Sequence, residues 1–151
     1  MNSYEFTVSL RIRHPAIDPA KITAALGIEP QHTWRAGEPR CDAAGVELGG
    51  AHHDSYWMGR LMEEPQLSSD SVSVERVILK TLSQLRRAQS FLEQLNAEGG
   101  VAQLLVSLYA REDFRLELPS EPLTLLGRMH LSVALDVHPH QPQKAAVSRS
   151  N

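Results

Sequence analysis

The sequence predicts an α+β fold of ferredoxin-like type, a two-layer sandwich in which helices pack on one face of a mixed or antiparallel sheet. One long stretch, 74–96, has apolar residues at steps of three and four, which is typical of one stripe of an α-helix. Several shorter stretches alternate apolar and polar residues, as strands with one buried and one solvated face do. The helix needs an apolar surface to lie on, and these strands supply it.

The first third of the chain predicts a strand, a helix and a turn-rich segment. Residues 4–13 alternate cleanly and predict the first strand. Asp18 is a predicted cap for a helix that begins at Pro19 and ends at Gly27. The segment 31–40 is polar and rich in turn residues, with a short strand expected at Thr33-Trp34-Arg35.

The middle of the chain leads through a loop and a strand to the long helix. Residues 41–50 contain small residues and end in two glycines, so we expect a loop there. Residues 54–61 carry Tyr56 and Trp57 and predict a strand. Residues 63–71 are polar and are expected to deliver the chain to the helix.

Beyond the long helix, which Gly99-Gly100 ends, the pattern alternates again. Residues 101–110 and 114–118 predict two strands joined as a hairpin. A short helix at 122–129 and a final strand at 131–137 follow. We therefore expect a single α+β domain over residues 1–138 and a disordered tail over 139–151.

The bulk composition narrows the possible partners and compartments. The formal net charge of −3 argues against a protein that mainly grips phosphate backbones, so no nucleic-acid partner is expected. No apolar run approaches the roughly 20 residues that span a bilayer, and no leader peptide is visible, so no membrane partner is expected. With Cys41 as the single cysteine, a cytoplasmic location is predicted.

Several short motifs occur in an order that resembles a known family. They are Val8-Ser9-Leu10-Arg11-Ile12, Ile17-Asp18-Pro19, Leu26-Gly27-Ile28, Trp34-Arg35-Ala36-Gly37-Glu38 and Ser55-Tyr56-Trp57. Together with the long helix and the Leu-rich C-terminal strand, they resemble a bacterial family known only as a domain of unknown function (DUF4279-like). The resemblance covers most of residues 4–138. It implies no catalytic residues, but it does imply a possible role as an immunity protein beside bacterial toxins.

The segment around Trp34 is the first candidate site. Arginine beside an exposed tryptophan can bind a carboxylate, a phosphate or an aromatic group of a partner. The candidate binding residues are Trp34, Arg35, Glu38, Arg40 and Trp57. In the alternative interpretation the two tryptophans cap the edge of the core and Arg35 pairs with Glu38.

Histidines near the glycine-rich loop form the second candidate site. His32, His52 and Asp54 carry ligand types that bind zinc or iron, so a metal site and a small metal-dependent hydrolase are conceivable. A thiol nucleophile at Cys41, with His52 or His53 as its base, is a further alternative. Solvated side chains in a surface loop are the simpler interpretation.

The predicted outer face of the sheet is polar and mixes charges of both signs. It carries Glu5, Thr7, Arg11, Arg13, Arg115, Glu117 and Asp136. Such a face can remain solvated, form a sheet-to-sheet homodimer or bind a protein of complementary charge. We therefore predict a non-enzymatic protein-binding module. The alternatives are the metal-dependent hydrolase and a regulatory domain that senses a small ligand between the sheet and segment 31–40. No cofactor is expected, since the chain has neither a Walker loop nor a GxGxxG motif.

Overall fold

A computed structural model describes residues 2–139 of the chain as a mixed α+β structure. The strands are β1 (Glu5–His14), β2 (His32–Trp34), β3 (Pro39–Cys41), β4 (Glu47–Ala51), β5 (Ser55–Arg60), β6 (Leu67–Ser68), β7 (Val101–Tyr109) and β8 (Leu131–His138). The helices are α1 (Pro19–Leu26), α2 (Val74–Leu85), α3 (Gln89–Ala97) and α4 (Ser120–Arg128), with a 3₁₀ turn at Arg86–Ala88 between α2 and α3.

The main sheet has the strand order β2-β5-β1-β7-β8, with the short β6 also pairing with β1. β1 pairs antiparallel with both β5 and β7, whereas β8 joins β7 in parallel through α4. Since β2 is antiparallel to β5, β1 and β2 run parallel with β5 between them. The predicted α+β class and mixed sheet are confirmed. The ferredoxin-like type is not confirmed. Of the two β-α-β units, only the first, β1-α1-β2, is split by an intervening strand, β5.

Alternation along the strands divides the main sheet into two unlike faces. On the core face, the β1 residues Phe6, Val8, Leu10 and Ile12 are fully buried, together with Leu104 and Val106 of β7. We call the opposite side the open face, because its residues are exposed or half-buried apart from Ser9. It comprises His32, Trp34, Tyr56, Met58, Arg60, Glu5, Thr7, Ser9, Arg11, Arg13, Val101, Gln103, Leu105, Ser107, Tyr109, Ser132, Ala134, Asp136 and His138.

The predicted helix at 74–96 is present but is interrupted. Ser73 caps α2 by accepting a hydrogen bond from the Arg76 N–H at 3.1 Å. The apolar stripe then continues through the 3₁₀ turn into α3, since Leu85, Ala88 and Leu92 are all buried. The break therefore changes the local winding without turning the stripe away from the sheet.

Two predicted elements differ from the structure. The expected loop at 41–50 is largely an antiparallel hairpin of β3 and β4, whose residues are all exposed and so give no apolar periodicity. Residues 114–118 form no strand, so the predicted hairpin with 101–110 is wrong. Both edges of β7 are already taken, one by β1 and the other by β8, which leaves no backbone groups for a further strand.

The chain ends are described only in part. The predicted disordered tail lies outside the described residues except for Pro139. Over residues 2–139, each helix is too short or too polar to cross a bilayer.

Candidate functional site

A stack of planar side chains runs across one end of the open face. The rings of His52 and Trp34 are 4.2 Å apart between centroids and within 13° of parallel. Trp34 stacks in turn on Tyr56, at 4.4 Å and 19°. The guanidinium carbon of Arg13 lies 5.2 Å from the centroid of the Tyr56 ring. We call these four residues the aromatic ladder; an Arg over a tyrosine ring is a cation–π contact.

Strand register places three of the four ladder residues in one row. Trp34 of β2 and Arg13 of β1 are both direct cross-strand partners of Tyr56 in β5. Side chains of directly opposed residues lie on the same face of a sheet, close enough to contact. The next row, Ile12 with Trp57, points to the core. The ladder therefore belongs to the open face as a consequence of register.

His52, the fourth ladder residue, is held by the turn that follows β2. The His52 carbonyl accepts a hydrogen bond from the Gly37 N–H at 2.8 Å, and its own N–H donates to the Glu38 carbonyl at 2.9 Å. The Glu38 carboxylate accepts from the Arg35 N–H at 3.0 Å. The Ser55 hydroxyl accepts from the Ala36 N–H at 3.0 Å. This network ties segment 35–38 to His52 and holds the imidazole over Trp34.

The second predicted binding tryptophan, Trp57, lies in the core. It is 0% exposed, and its indole N–H donates a hydrogen bond to the Thr23 hydroxyl of α1 at 3.0 Å. Its ring covers Gly59, where an added Cβ would lie 2.7 Å from Trp57 Cη2. Trp57 therefore contributes packing between α1 and β5 and offers no surface to a partner.

Three of the other predicted binding residues border a pocket beside α1. It has a volume of about 470 Å³ and is open to solvent. Trp34, Arg35 and Glu38 line it, together with Asp18 of the α1 cap. The Arg35 guanidinium lies 3.6 Å from the Asp18 carboxylate. Arg40 stands apart on the exposed strand β3, outside the pocket lining.

The predicted metal ligands do not converge. His32 faces Met58 across the sheet, His52 stacks on Trp34, and Asp54 contacts its neighbour His53 at 3.2 Å. Within residues 2–139, no group of three or more His, Cys, Asp and Glu side chains is arranged to hold a metal ion. Cys41 is exposed, and its thiol lies 3.8 Å from the Pro39 carbonyl oxygen.

Three arginines lie on the open face. Arg11, Arg13 and Arg60 lie there on neighbouring strands, while β2, β5 and the 9–14 half of β1 carry no Asp or Glu. Arg11 donates to the Gln103 side chain, with its nearest nitrogen at 2.8 Å, which fixes its position on the sheet. Glu5 and Asp136 belong to the other end of the face, where Tyr109 stacks on His138.

Tyr56 is absent from the predicted binding residues, and Arg13 is predicted only as part of the polar outer face of the sheet. The sequence does indicate that both side chains are accessible, since both occupy polar-face positions of alternating strands. What the sequence lacks is the register that brings them beside Trp34, because pairing between distant strands leaves no local mark.

Comparison with known proteins identifies one relationship. The family model described as "Domain of unknown function (DUF4279)" matches residues 4–140. No curated protein and no solved structure matches the chain.

Proposed function

The chain belongs to the DUF4279 family of domains of unknown function, and from that premise we propose that it is a non-enzymatic protein-binding module. The binding surface is the open face, centred on the aromatic ladder. The observation that carries this proposal is the continuous stack of His52, Trp34, Tyr56 and Arg13 on a sheet face with solvent access.

The residue types of the ladder suit protein recognition. Trp, Tyr and Arg are enriched among the residues that contribute most to protein–protein affinity. Stacked rings are also held in place before binding, so little side-chain entropy is lost when a partner covers them. The turn network behind His52 adds to this rigidity.

The charge around the ladder indicates the chemistry of the partner. Arg13 belongs to the ladder, Arg11 and Arg60 lie on the same face, and β2, β5 and the 9–14 half of β1 carry no Asp or Glu. A protein that presents Asp or Glu beside an apolar or aromatic anchor is complementary to this arrangement. Its association with the module weakens as salt concentration rises, because exposed charge pairs are screened.

Capture from a lysate of the native cell tests the proposal. The immobilised wild-type chain is compared with Trp34→Ala and with Leu123→Ala, which removes an exposed leucine from α4 on the helical side. We expect a protein that the wild type and Leu123→Ala retain and that Trp34→Ala loses. Truncation of a central anchor costs about 2 kcal/mol, which is roughly 30-fold in Kd.

Two results would count against this function. A partner that all three chains retain equally places the binding surface away from the ladder. Recovery of the same chain as the sole partner, lost with Trp34→Ala, indicates instead a homodimer formed through the open face.

The pocket beside α1 supports a second candidate function, a regulatory domain that senses a small ligand. Arg35, Asp18 and Glu38 offer charges of both signs at its wall. A ligand that binds only the native state raises its apparent stability. A thermal-shift screen of metabolites tests this, with Arg35→Ala as the variant in which the shift should disappear. The metal-dependent hydrolase gains no such support from residues 2–139.

A further inference from the structure

β8 forms one edge of the main sheet, and in the part of the chain that the structure describes it lacks the usual protection of an edge strand. Within residues 2–139, β7 is its only strand partner. Natural edge strands are commonly blunted by Lys, Pro, a bulge or short length. β8 is eight residues long, pairs regularly with β7 and carries Asp136 as its one acidic or basic residue other than histidine. Leu135 and Val137 on this strand are 48% and 59% exposed.

Backbone geometry shows which residues of β8 direct their N–H and C=O groups away from β7. The His138 carbonyl accepts a hydrogen bond from the Ala110 N–H at 3.3 Å, and Ala110 directly follows β7. The backbone groups of His138 therefore point towards β7. Because this direction alternates along a strand, those at every second position point away from the sheet. The outward set is Leu131, Val133, Leu135 and Val137.

We propose that β8 pairs antiparallel with β8 of a second copy of this chain. The two-fold axis is perpendicular to the sheet and passes midway between the Ala134 residues of the two copies. Val133 of one copy then lies opposite Leu135 of the other, and Leu131 lies opposite Val137. In this register every outward residue meets another outward residue, so all their N–H and C=O groups can pair. The exposed side chains of Leu135 and Val137 are each covered by an apolar side chain.

Neighbouring registers fit less well. An axis at Leu135 places the outward groups of Leu131 opposite Pro139, which has no N–H to donate. An axis at Asp136 brings two carboxylates face to face, which is destabilising. With the axis at Ala134, Asp136 lies opposite the Ser132 hydroxyl. The strand is therefore self-complementary with the axis at Ala134, and this favours a second copy as the occupant of the edge.

This dimer differs from a sheet-to-sheet homodimer, because it leaves the aromatic ladder uncovered. Both open faces lie on the same side of one continuous sheet, so the assembly presents the ladder twice. A result that rejects the dimer does not reject the proposed partner binding, and the reverse also holds, because β8 and β2 lie at opposite edges of the sheet.

Sedimentation and cysteine cross-linking of the full chain test the proposal. We expect the wild type to sediment as a dimer and Leu135→Lys as a folded monomer. Leu48→Lys is the matched control, since Leu48 is a 54% exposed leucine on the separate β3–β4 hairpin. It should remain dimeric.

Cross-linking reads the register in a Cys41→Ser background. In the proposed register the two Ala134 residues form a pair without mutual hydrogen bonds. The Cα atoms of such a pair are about 4.5 Å apart, within the range that a disulfide spans. Ala134→Cys should therefore form a disulfide-linked dimer on oxidation. Two copies of Asp136→Cys would lie about 14 Å apart and should not cross-link.

Three results would overturn the inference. They are a wild-type chain that is monomeric at every concentration, a Leu135→Lys chain that dimerises as well as Leu48→Lys, and Asp136→Cys that cross-links as readily as Ala134→Cys. Circular dichroism verifies that each variant is folded, so a loss of dimer is not confused with unfolding.

Discussion

The indole N–H of Trp57 donates to the hydroxyl of Thr23 at 3.0 Å, joining the centre of β5 to α1. The indole is fully buried, so no water replaces this acceptor. Thr23→Val keeps the shape of the side chain but leaves the N–H unpaired. We expect a loss of about 1–3 kcal/mol in the free energy of unfolding. Denaturant titration measures it. Thr33→Val, at an exposed threonine of β2, should change stability by less than about 0.5 kcal/mol.

Gly59 lies under the same indole, and a side chain there has no room. A Cβ would stand 2.7 Å from Trp57 Cη2 and 3.2 Å from Ile28 Cγ2. Gly59→Ala should therefore destabilise the fold by about 1–3 kcal/mol through overpacking. Gly127→Ala is the matched control, because a Cβ there meets nothing within 4 Å. Since Gly127 lies within α4, that variant should be more stable by up to about 1 kcal/mol. Equal effects at both positions would contradict the packing described around Trp57.

Glu98, at the end of α3, makes the free energy of unfolding depend on pH in the acid range. Hydrogen bonds from Gln94 and then from His14 lower the pKa of the Glu98 carboxyl below its usual value of 4.5. The His14 Nδ1 atom accepts the N–H groups of Ala16 and Ile17, so Nε2 carries the hydrogen that reaches Glu98 at 2.8 Å.

A carboxyl whose pKa is lower in the folded chain stabilises the fold above its unfolded pKa, and this contribution is lost as pH falls through the folded value. The difference in unfolding free energy between the wild type and Glu98→Gln should thus be constant above about pH 5 and shrink below it. Thermal unfolding at a series of pH values measures the difference. Glu93→Gln is a control for the loss of one charge from α3. A difference that grows as pH falls would contradict a lowered pKa of Glu98 in the folded chain.

The two tryptophans should differ in their access to solvent. Trp34 is half-buried on the open face, whereas Trp57 is fully buried. In Trp34→Phe the remaining emission comes from Trp57, and it should lie at shorter wavelength and resist quenching by acrylamide. Unfolding by denaturant provides the reference for a fully quenched indole. Strong quenching of the folded Trp34→Phe chain would place Trp57 outside the core.

The sequence predicts the layers of this fold better than the connections between strands. Alternation in 4–13 and the stripe in 74–96 each depend on residues that are close in the chain, and both features are present. Residues 114–118 alternate equally well but form no strand, because β8 occupies the free edge of β7. Phe114 and Leu116 still pack on the core from an irregular segment. Burial alone can thus produce the alternating pattern.

The candidate site was predictable only in part, for the same reason. The arginine that directly follows Trp34 in the sequence is what predicts a binding role for that residue. Tyr56 and Arg13 join it through pairings across β5 and β1 that no local pattern encodes. Trp57 is the same residue type as Trp34, but the alternation of side chains along β5 directs Trp57 to the core. A shift of one residue in the pairing of β5 would exchange the roles of Tyr56 and Trp57.

Side-chain oxidation of the free and partner-bound chain tests the role of the ladder most directly. Hydroxyl radicals label exposed rings, and mass spectrometry measures the extent of labelling residue by residue. With the captured protein bound, we predict that oxidation of Trp34 and Tyr56 falls sharply while that of Leu123 on α4 is unchanged. Oxidation of Trp34 that is equal in the free and bound chains would contradict binding through the open face.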